Sequence, residues 1–347
     1  MGTGILSIDL AALAANWRAL DALSTRETGA VVKADGYGLG AGVVAKTLAQ
    51  AGARRFFVAM TEEGAAVRQA LGQGPEIYVL SGHMAGDTAA LRDHLLIPML
   101  NDAAQVARHR AALPEAPYGV QLDTGMNRLG MEAAEWSGLR ADLEPGPFTL
   151  ILSHLACSDD PDHPQNIDQL KVFGDMTAGV QVPRSFSATG GTLLGRAYHF
   201  DLTRPGIGVY GGDPFTAAQP VVRLSLPVIQ VRHLSRGETV GYGATFTATR
   251  PTKIAAVAGG YADGLLRAMG GIGILYAGNV PCPIAGRVSM DSITVDVTHL
   301  PEVPEALDIL GPHQTINDLA QAAGTICNEI LTSFGGRYAR RYVGGGV

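Results

Sequence analysis

The stretch Ala30-Val31-Val32-Lys33-Ala34-Asp35-Gly36-Tyr37-Gly38-Leu39-Gly40 reads as a strand running into a tight exit. Two β-branched residues lead directly into a lysine, and glycine then recurs at every second position from Gly36 to Gly40. The apolar lead suits a buried strand, and the glycines suit a turn where backbone comes close to something else. Lys33 therefore stands at the end of an apolar wall. Lysine is rarely buried without a partner. There it can snorkel to water, or serve as an amine whose pKa is lowered so that it attacks a carbonyl. Gly36-x-Gly38-x-x-Ala41 also fits the dinucleotide pattern G-x-G-x-x-G/A, but a lysine just ahead of the first glycine is no part of that pattern.

Working outward, similar apolar runs recur at steady spacing. With Ala30–Lys33 they are Arg55–Met60, Glu76–Leu80, Leu96–Leu100, Tyr118–Asp123, Phe148–His154, Ser185–Ala188 and Pro205–Tyr210, eight in all. Stretches of helical period such as Gly42–Ala51, Glu62–Gly72 and Ala103–Leu113 separate them. Eight strand–helix units predict a (β/α)8 barrel, TIM-like, over residues 1–222. A doubly wound sheet is the competing architecture and usually stops at about five or six strands. After about Val222 the texture changes to strand-like alternation punctuated by Gly and Pro: Pro227–His233, Lys253–Ala258, Gly273–Tyr276, Val280–Ala285 and Ile293–Val297. One helical stretch, Ile316–Ala323, interrupts it. This predicts a mostly-β domain over residues 223–347.

In a barrel, chemistry gathers at the strand C-termini. Lys33, the Asp123–Arg128 loop, His154, Ser187 and Arg204-Pro205-Gly206-Ile207 all fall there. Barrel phosphate sites commonly use the loops of the last two strands, with backbone N–H groups as donors. A phosphate-bearing cofactor facing Lys33 is therefore expected.

Composition narrows the class. The chain is 46% hydrophobic and 17% charged, which suits a globular protein with a sizeable core, and its net charge of −6 offers nothing to nucleic acid or anionic membrane. Cys157, Cys282 and Cys327 are scattered and odd in number, so neither a disulfide framework nor a zinc site is expected, and no other metal. Residues 1–9 lack a basic n-region and a long apolar stretch, and no apolar run reaches the ~20 residues of a membrane helix. A cytoplasmic location is the expectation.

Six blocks together resemble the alanine racemase family. They are Val31–Gly40, Leu122–Gly130, Arg204–Gly211, Val240–Phe246 (Val-Gly-Tyr-Gly-Ala-Thr-Phe), Gly259–Gly264 and Gly286–Asp291, in the family's order. The resemblance implies a PLP-dependent enzyme of barrel-plus-β-domain fold, a homodimer with shared sites, that interconverts L-alanine and D-alanine. It would supply D-alanine or break it down. A broader racemase that includes serine, a PLP decarboxylase, and a non-catalytic PLP-binding protein are the alternatives. The last would have no need of the second domain.

The resemblance also assigns roles. Lys33 would hold pyridoxal 5'-phosphate covalently and act as the base for the D-enantiomer. Tyr242 of the other subunit would act on the L-enantiomer from the opposite face. Two bases are needed because returning a proton to the face it left gives no inversion. Tyrosine, with a reference pKa near 10, needs a neighbouring cation or hydrogen-bond partner, and His154 is the matched candidate. Arg204 would face the ring nitrogen; a guanidinium cannot accept a proton, so that nitrogen stays an acceptor. Tyr37, Ser187, Gly206 and Ile207 match the phosphate ligands. Arg128 and the N–H of Met290, the latter from the partner, match the substrate carboxylate site. Tyr261, Arg267, Arg287 and Asp291 match the entrance, where ordinary surface ion pairs are the competing explanation.

Two departures stand out. Gln121 replaces a lysine that many relatives carbamylate and use to support the carboxylate-binding arginine, so Arg128 must be held differently. Gly336, by ungapped alignment, replaces a tyrosine near the phosphate and substrate; Tyr338 lies close enough that either could line the site.

Overall fold

A computed structural model describes residues 3–345, which form two compact units. One runs from Leu13 to Ala218; the other combines the described residues up to Ala12 with Gln219 onward.

In the first unit, Ala30–Val31, Arg55–Val58, Glu76–Val79, Ile97–Leu100, Tyr118–Gln121, Phe148–Leu152 and Arg184–Ser185 lie side by side in that order, every neighbouring pair parallel. These are the buried runs rich in β-branched and aromatic residues that a strand flanked on both faces requires. Phe56, Phe57, Val58, Ile77, Tyr78, Val79, Val120, Leu150 and Ile151 are all fully buried. Gly119 gives Met99 its space: a Cβ there would lie 2.4 Å from the Met99 sulfur.

Leu202–Thr203 closes the ring. It pairs in parallel with Glu27–Thr28, the segment that leads into Ala30–Val31, and the Gly29 and Val31 N–H groups donate to Thr203 O and Pro205 O at 2.8 and 3.2 Å. On its other side Arg204 N–H donates to Ser187 O at 2.7 Å. The helices Ala41–Ala51, Thr61–Leu71 and Ala103–Ala112 follow their strands as their period suggested. The fold is a (β/α)8 barrel followed by a mostly-β region.

The eighth strand differs from expectation. Pro205–Tyr210 is not extended; Ile207–Tyr210 is a 3-10 turn, and the strand lies just before, at Leu202–Thr203. Pro205 has no N–H for a ladder. The N–H groups of Gly206 and Gly208 go instead to the side chain of Thr189.

The second unit is built on the long strand Val222–Leu234. It pairs antiparallel with Ile5–Asp9, Ala306–Leu310 and Thr252–Ala258, and Thr252–Ala258 pairs in turn with Ser292–Asp296. Ile5–Asp9 also pairs in parallel with Ala339–Val343. Ile274–Ala277 and Val280–Pro283 complete this sheet as a hairpin. Thus Ile5–Asp9 belongs to the β unit, which a single boundary at 222 does not express. The reason is visible in Ile5-Leu6-Ser7-Ile8-Asp9: Leu6 and Ile8 are fully buried while their neighbours face outward. The helix Ile316–Ala323 starts where expected, with Thr315 and Asp318 capping each other's backbone.

Among the described residues, no helix is long and apolar enough to cross a membrane, and no group of three His, Cys, Asp or Glu could hold a metal ion.

Candidate active site

Within the barrel unit, Lys33 follows the first strand and is half-buried. Its pKa is held below the ordinary lysine value, first by loss of water and then by the positive charges of Arg128 and Arg204, with Glu63 acting the other way. Lys33 and the two arginines also act on His154. Desolvation, then Arg204, Arg128 and Lys33, push its pKa down to about 3, so the imidazole is neutral at physiological pH. His154 thus cannot serve as a cation; it remains available as a neutral hydrogen-bonding ring.

Arg204 is buried. It donates from Nη1 to Ser185 Oγ and from Nη2 to Ser153 O at 2.8 Å, both neutral acceptors, and its guanidinium lies 5.8 Å from the centre of the Phe57 ring. Burial lowers its pKa to about 9, which still leaves it charged near neutrality. Neither acceptor is a carboxylate, so these contacts form no salt bridge.

Gln121 and Asp123 hold the loop that carries Arg128. Gln121 is buried and donates from Nε2 to Leu129 O at 3.3 Å. Asp123 Oδ1 accepts from the N–H groups of Gly125, Met126 and Asn127 at 2.9, 3.0 and 3.1 Å. Neutral Gln121 therefore supports the loop backbone rather than the guanidinium by charge.

The Tyr37 ring stacks on Tyr210 with centroids 4.3 Å apart, and its hydroxyl reaches the backbone of Gly206. A Cβ at Gly206 would lie 2.3 Å from that hydroxyl oxygen, so any side chain there would displace the Tyr37 hydroxyl. Tyr37, Gly206 and Ile207 are thereby brought to one place. Ser187 is not a free ligand there: fully buried, its hydroxyl donates to Tyr198 O at 2.6 Å. Thr189, two residues on, occupies the loop instead. Its Oγ1 accepts from the N–H groups of Gly206 and Gly208 at 3.1 and 3.2 Å. The signal for Thr189 was its place directly before Gly190-Gly191, where a short helix begins; the strand-end rule had favoured Ser187.

A second residue absent from the sequence reading is Gln169. From a helix it donates to His154 O at 3.0 Å and Thr124 Oγ1 at 3.1 Å, tying together the exits of two strands.

The β unit gathers the other expected residues. Tyr242 sits on the 3-10 turn Tyr242–Ala244, held out by positive φ at Gly241, Gly243 and Ala244. It is 71% exposed in the single chain, so it does not pack as a strand tyrosine would. Arg287 lies beside this turn, its Nη1 3.2 Å from where a Gly243 Cβ would be, and the backbone after Arg267 packs against it at Gly270. Tyr261 N–H donates to Ser289 O at 3.0 Å and Ala262 N–H to Met290 O at 3.1 Å, which sets the Met290 segment against the Tyr261 segment. Asp291 is in an ion pair: Arg337 bonds it at 2.7 Å and grips Asp263 at 2.6 and 2.9 Å. Gly336 is exposed, with open space where a side chain would begin. Tyr338 is buried, its ring against Gly4. Of the two alternatives, Gly336 is the outward-facing position.

A strand-end lysine among arginines, in a (β/α)8 barrel whose last strand leads into a glycine-containing loop against Tyr37, defines a barrel enzyme with a lysine-centred site and a place for an anionic group. Comparisons with known proteins make the class specific. The family model described as "Alanine racemase, N-terminal domain" matches residues 8–214, and "Alanine racemase, C-terminal domain" matches residues 221–342. The chain belongs to the alanine racemase family. It is 65% identical over 345 residues to the alanine racemase of Cereibacter sphaeroides, covering 99% of each chain. It is 44% identical to the catabolic alanine racemase of Agrobacterium fabrum, covering 99% of this chain and 93% of that one. The crystal structure of alanine racemase from Bartonella henselae with covalently bound pyridoxal phosphate superimposes with a TM-score of 0.94 at 37% identity, covering 99% of this chain and 100% of that one.

Proposed function

We propose that the protein interconverts L-alanine and D-alanine with pyridoxal 5'-phosphate held on Lys33, and that two copies complete each other's sites. The observation that carries this is the environment of Lys33: a strand-end amine whose pKa is lowered by burial and by Arg128 and Arg204. Such an amine is unprotonated more often and so able to bond a carbonyl. The cofactor fits this chain's residues. Tyr37, Thr189, Gly206 and Ile207 would cradle its phosphate where a Gly206 side chain would collide, and Arg204 would supply a charged donor whose two guanidinium contacts go to neutral acceptors.

When bound, the cofactor supplies the electron sink that stabilises negative charge at the substrate's α-carbon. The residues do the rest. Arg128 pairs the substrate carboxylate with its planar fork, aided by the N–H of Met290 from the other copy. Lys33 Nζ takes or returns the α-proton on one face. The hydroxyl of Tyr242, from the other copy, does so on the opposite face, and neutral His154 assists as a hydrogen-bonding ring. Arg204 would face the ring nitrogen, where a charged donor that cannot accept a proton would leave that nitrogen an acceptor and moderate the sink. Tyr261, Arg267, Arg287 and Asp291 line the way in. The exposure of Tyr242, Tyr261 and Met290 in the single chain, at 71%, 43% and 51%, supports a partner surface over them.

Borohydride reduction followed by peptide mapping tests the assignment. Cofactor fixed to Lys33 is expected; cofactor on Lys46, Lys171 or Lys253 overturns it. Chiral analysis of products from a panel of L-amino acids then defines the substrates. The open position at Gly336 supports a second reading, in which serine is also turned over.

A further inference from the structure

The backbone after Lys33 takes a course that few sequences tolerate. Ala34, Asp35, Gly36 and Tyr37 have φ of 53°, 52°, 62° and 56°, a left-handed turn in which only one residue is glycine. Non-glycine residues rarely hold such angles, so the turn persists only where surrounding contacts over-determine it. Its far side is closed locally: Gly38 N–H donates to Ala34 O at 2.7 Å, and Ala41 N–H to Asp35 Oδ1 at 2.8 Å. Its near side, next to the lysine, is fixed by a residue from another element. Glu63, in the first turn of the Thr61–Leu71 helix, accepts the Ala34 N–H on Oε1 at 2.7 Å. Its Oε2 accepts the N–H groups of Ala59 and Met60 at 2.7 and 3.3 Å, just past the Arg55–Val58 strand.

One carboxylate thus joins the exits of two adjacent barrel strands. It is also the negative group among the charges acting on Lys33, against the cations Arg128 and Arg204, while His154 beside them is neutral. We propose that Glu63 is a positioning residue for Lys33: it locks the left-handed turn from which the amine is presented and places a carboxylate on the backbone directly after the lysine. This rests on the reading of Lys33 as the cofactor-bearing residue.

Two oxygens are required. A glutamine turns one of them into an amide donor aimed at an N–H, and removes the charge. An aspartate keeps the charge but is one methylene too short to span both exits. The test compares holoenzymes carrying Glu63→Gln, Glu63→Asp and, as a control, Glu62→Gln at the exposed neighbouring glutamate. Two quantities are read: the pH midpoint of the visible band of the lysine–cofactor bond, and kcat with KM for alanine.

Glu63→Gln should move the midpoint to lower pH, because the protonated nitrogen loses its anionic neighbour. It should also lower kcat by about tenfold or more, with KM changed less, because the amine is misplaced for proton transfer. Glu63→Asp should lower kcat and leave the midpoint near wild type. Glu62→Gln should alter neither. A midpoint unmoved in Glu63→Gln, or kcat unchanged in Glu63→Asp, overturns the proposal; the second comparison stands even if the first variant does not fold. Wild-type protein with no such band on Lys33 would instead remove the underlying assignment.

Discussion

Replacing Thr189 by valine keeps its shape and deletes one hydroxyl. In the structure that oxygen is the acceptor for two backbone N–H groups, those of Gly206 and Gly208, both buried. Each buried donor left unpaired costs about 1–3 kcal/mol, so the variant should lose about 2–6 kcal/mol in the barrel. The same two amides shape the loop proposed to hold the phosphate, so the cofactor should be shed as well. Ser187→Ala is the contrasting change. It deletes one hydrogen bond, to Tyr198 O at 2.6 Å, and should cost about 1–3 kcal/mol without loosening the cofactor. Thr189→Ser should behave nearly as wild type. Urea unfolding of the loaded protein gives the stabilities, and the visible absorbance remaining after exhaustive dialysis gives cofactor retention. Ser187→Ala protein that sheds cofactor while Thr189→Val retains it would refute the reassignment from Ser187 to Thr189.

Two further outcomes follow from the structure. Gly336→Tyr should lower serine turnover more than alanine turnover, because the ring would fill space open at this position; equal losses would count against Gly336 as the site-lining residue. The buried pair His83 and His109, which share a 3.2 Å contact between their Nδ1 atoms, and His154 all have pKa values depressed on folding, chiefly by desolvation. A depressed histidine contributes stability in full above its unfolded value near 6.5 and loses it as pH falls through that value toward the folded one. Urea midpoints should therefore drop between about pH 7 and pH 5, before most carboxylates titrate; a flat profile there would contradict these assignments.

Much of this was legible in the residues themselves. Buried parallel strands write continuous apolar runs, so Arg55–Val58, Glu76–Val79 and Tyr118–Gln121 were visible, and with them Lys33 at a strand exit. The last strand was not, because Leu202–Thr203 is too short to show a period, whereas the apolar Ile207–Tyr210 turn mimics one. Ser187 and Thr189 are chemically alike in sequence, and only the direction of their hydroxyls separates them. Glu63 reads as an ordinary acidic residue in a helix's first turn; its link to Ala34 spans 29 positions and no local pattern encodes it. Ile5–Asp9 alternates plainly, but its partners lie more than 200 residues away, so its membership of the β unit depended on the tertiary structure.

The central claim is that Lys33 of one copy and Tyr242 of another work on the same substrate. Subunit exchange between Lys33→Ala and Tyr242→Ala proteins, each nearly inactive alone, tests it most directly. In a closed two-fold dimer every mixed pair has one site with both lesions and one with neither. Random exchange makes about half the dimers mixed, so about a quarter of wild-type activity should return. If Tyr242 served its own chain's Lys33, every site would keep one lesion. Activity that stays at the level of the separate variants, with exchange verified by mass spectrometry, would contradict the shared site.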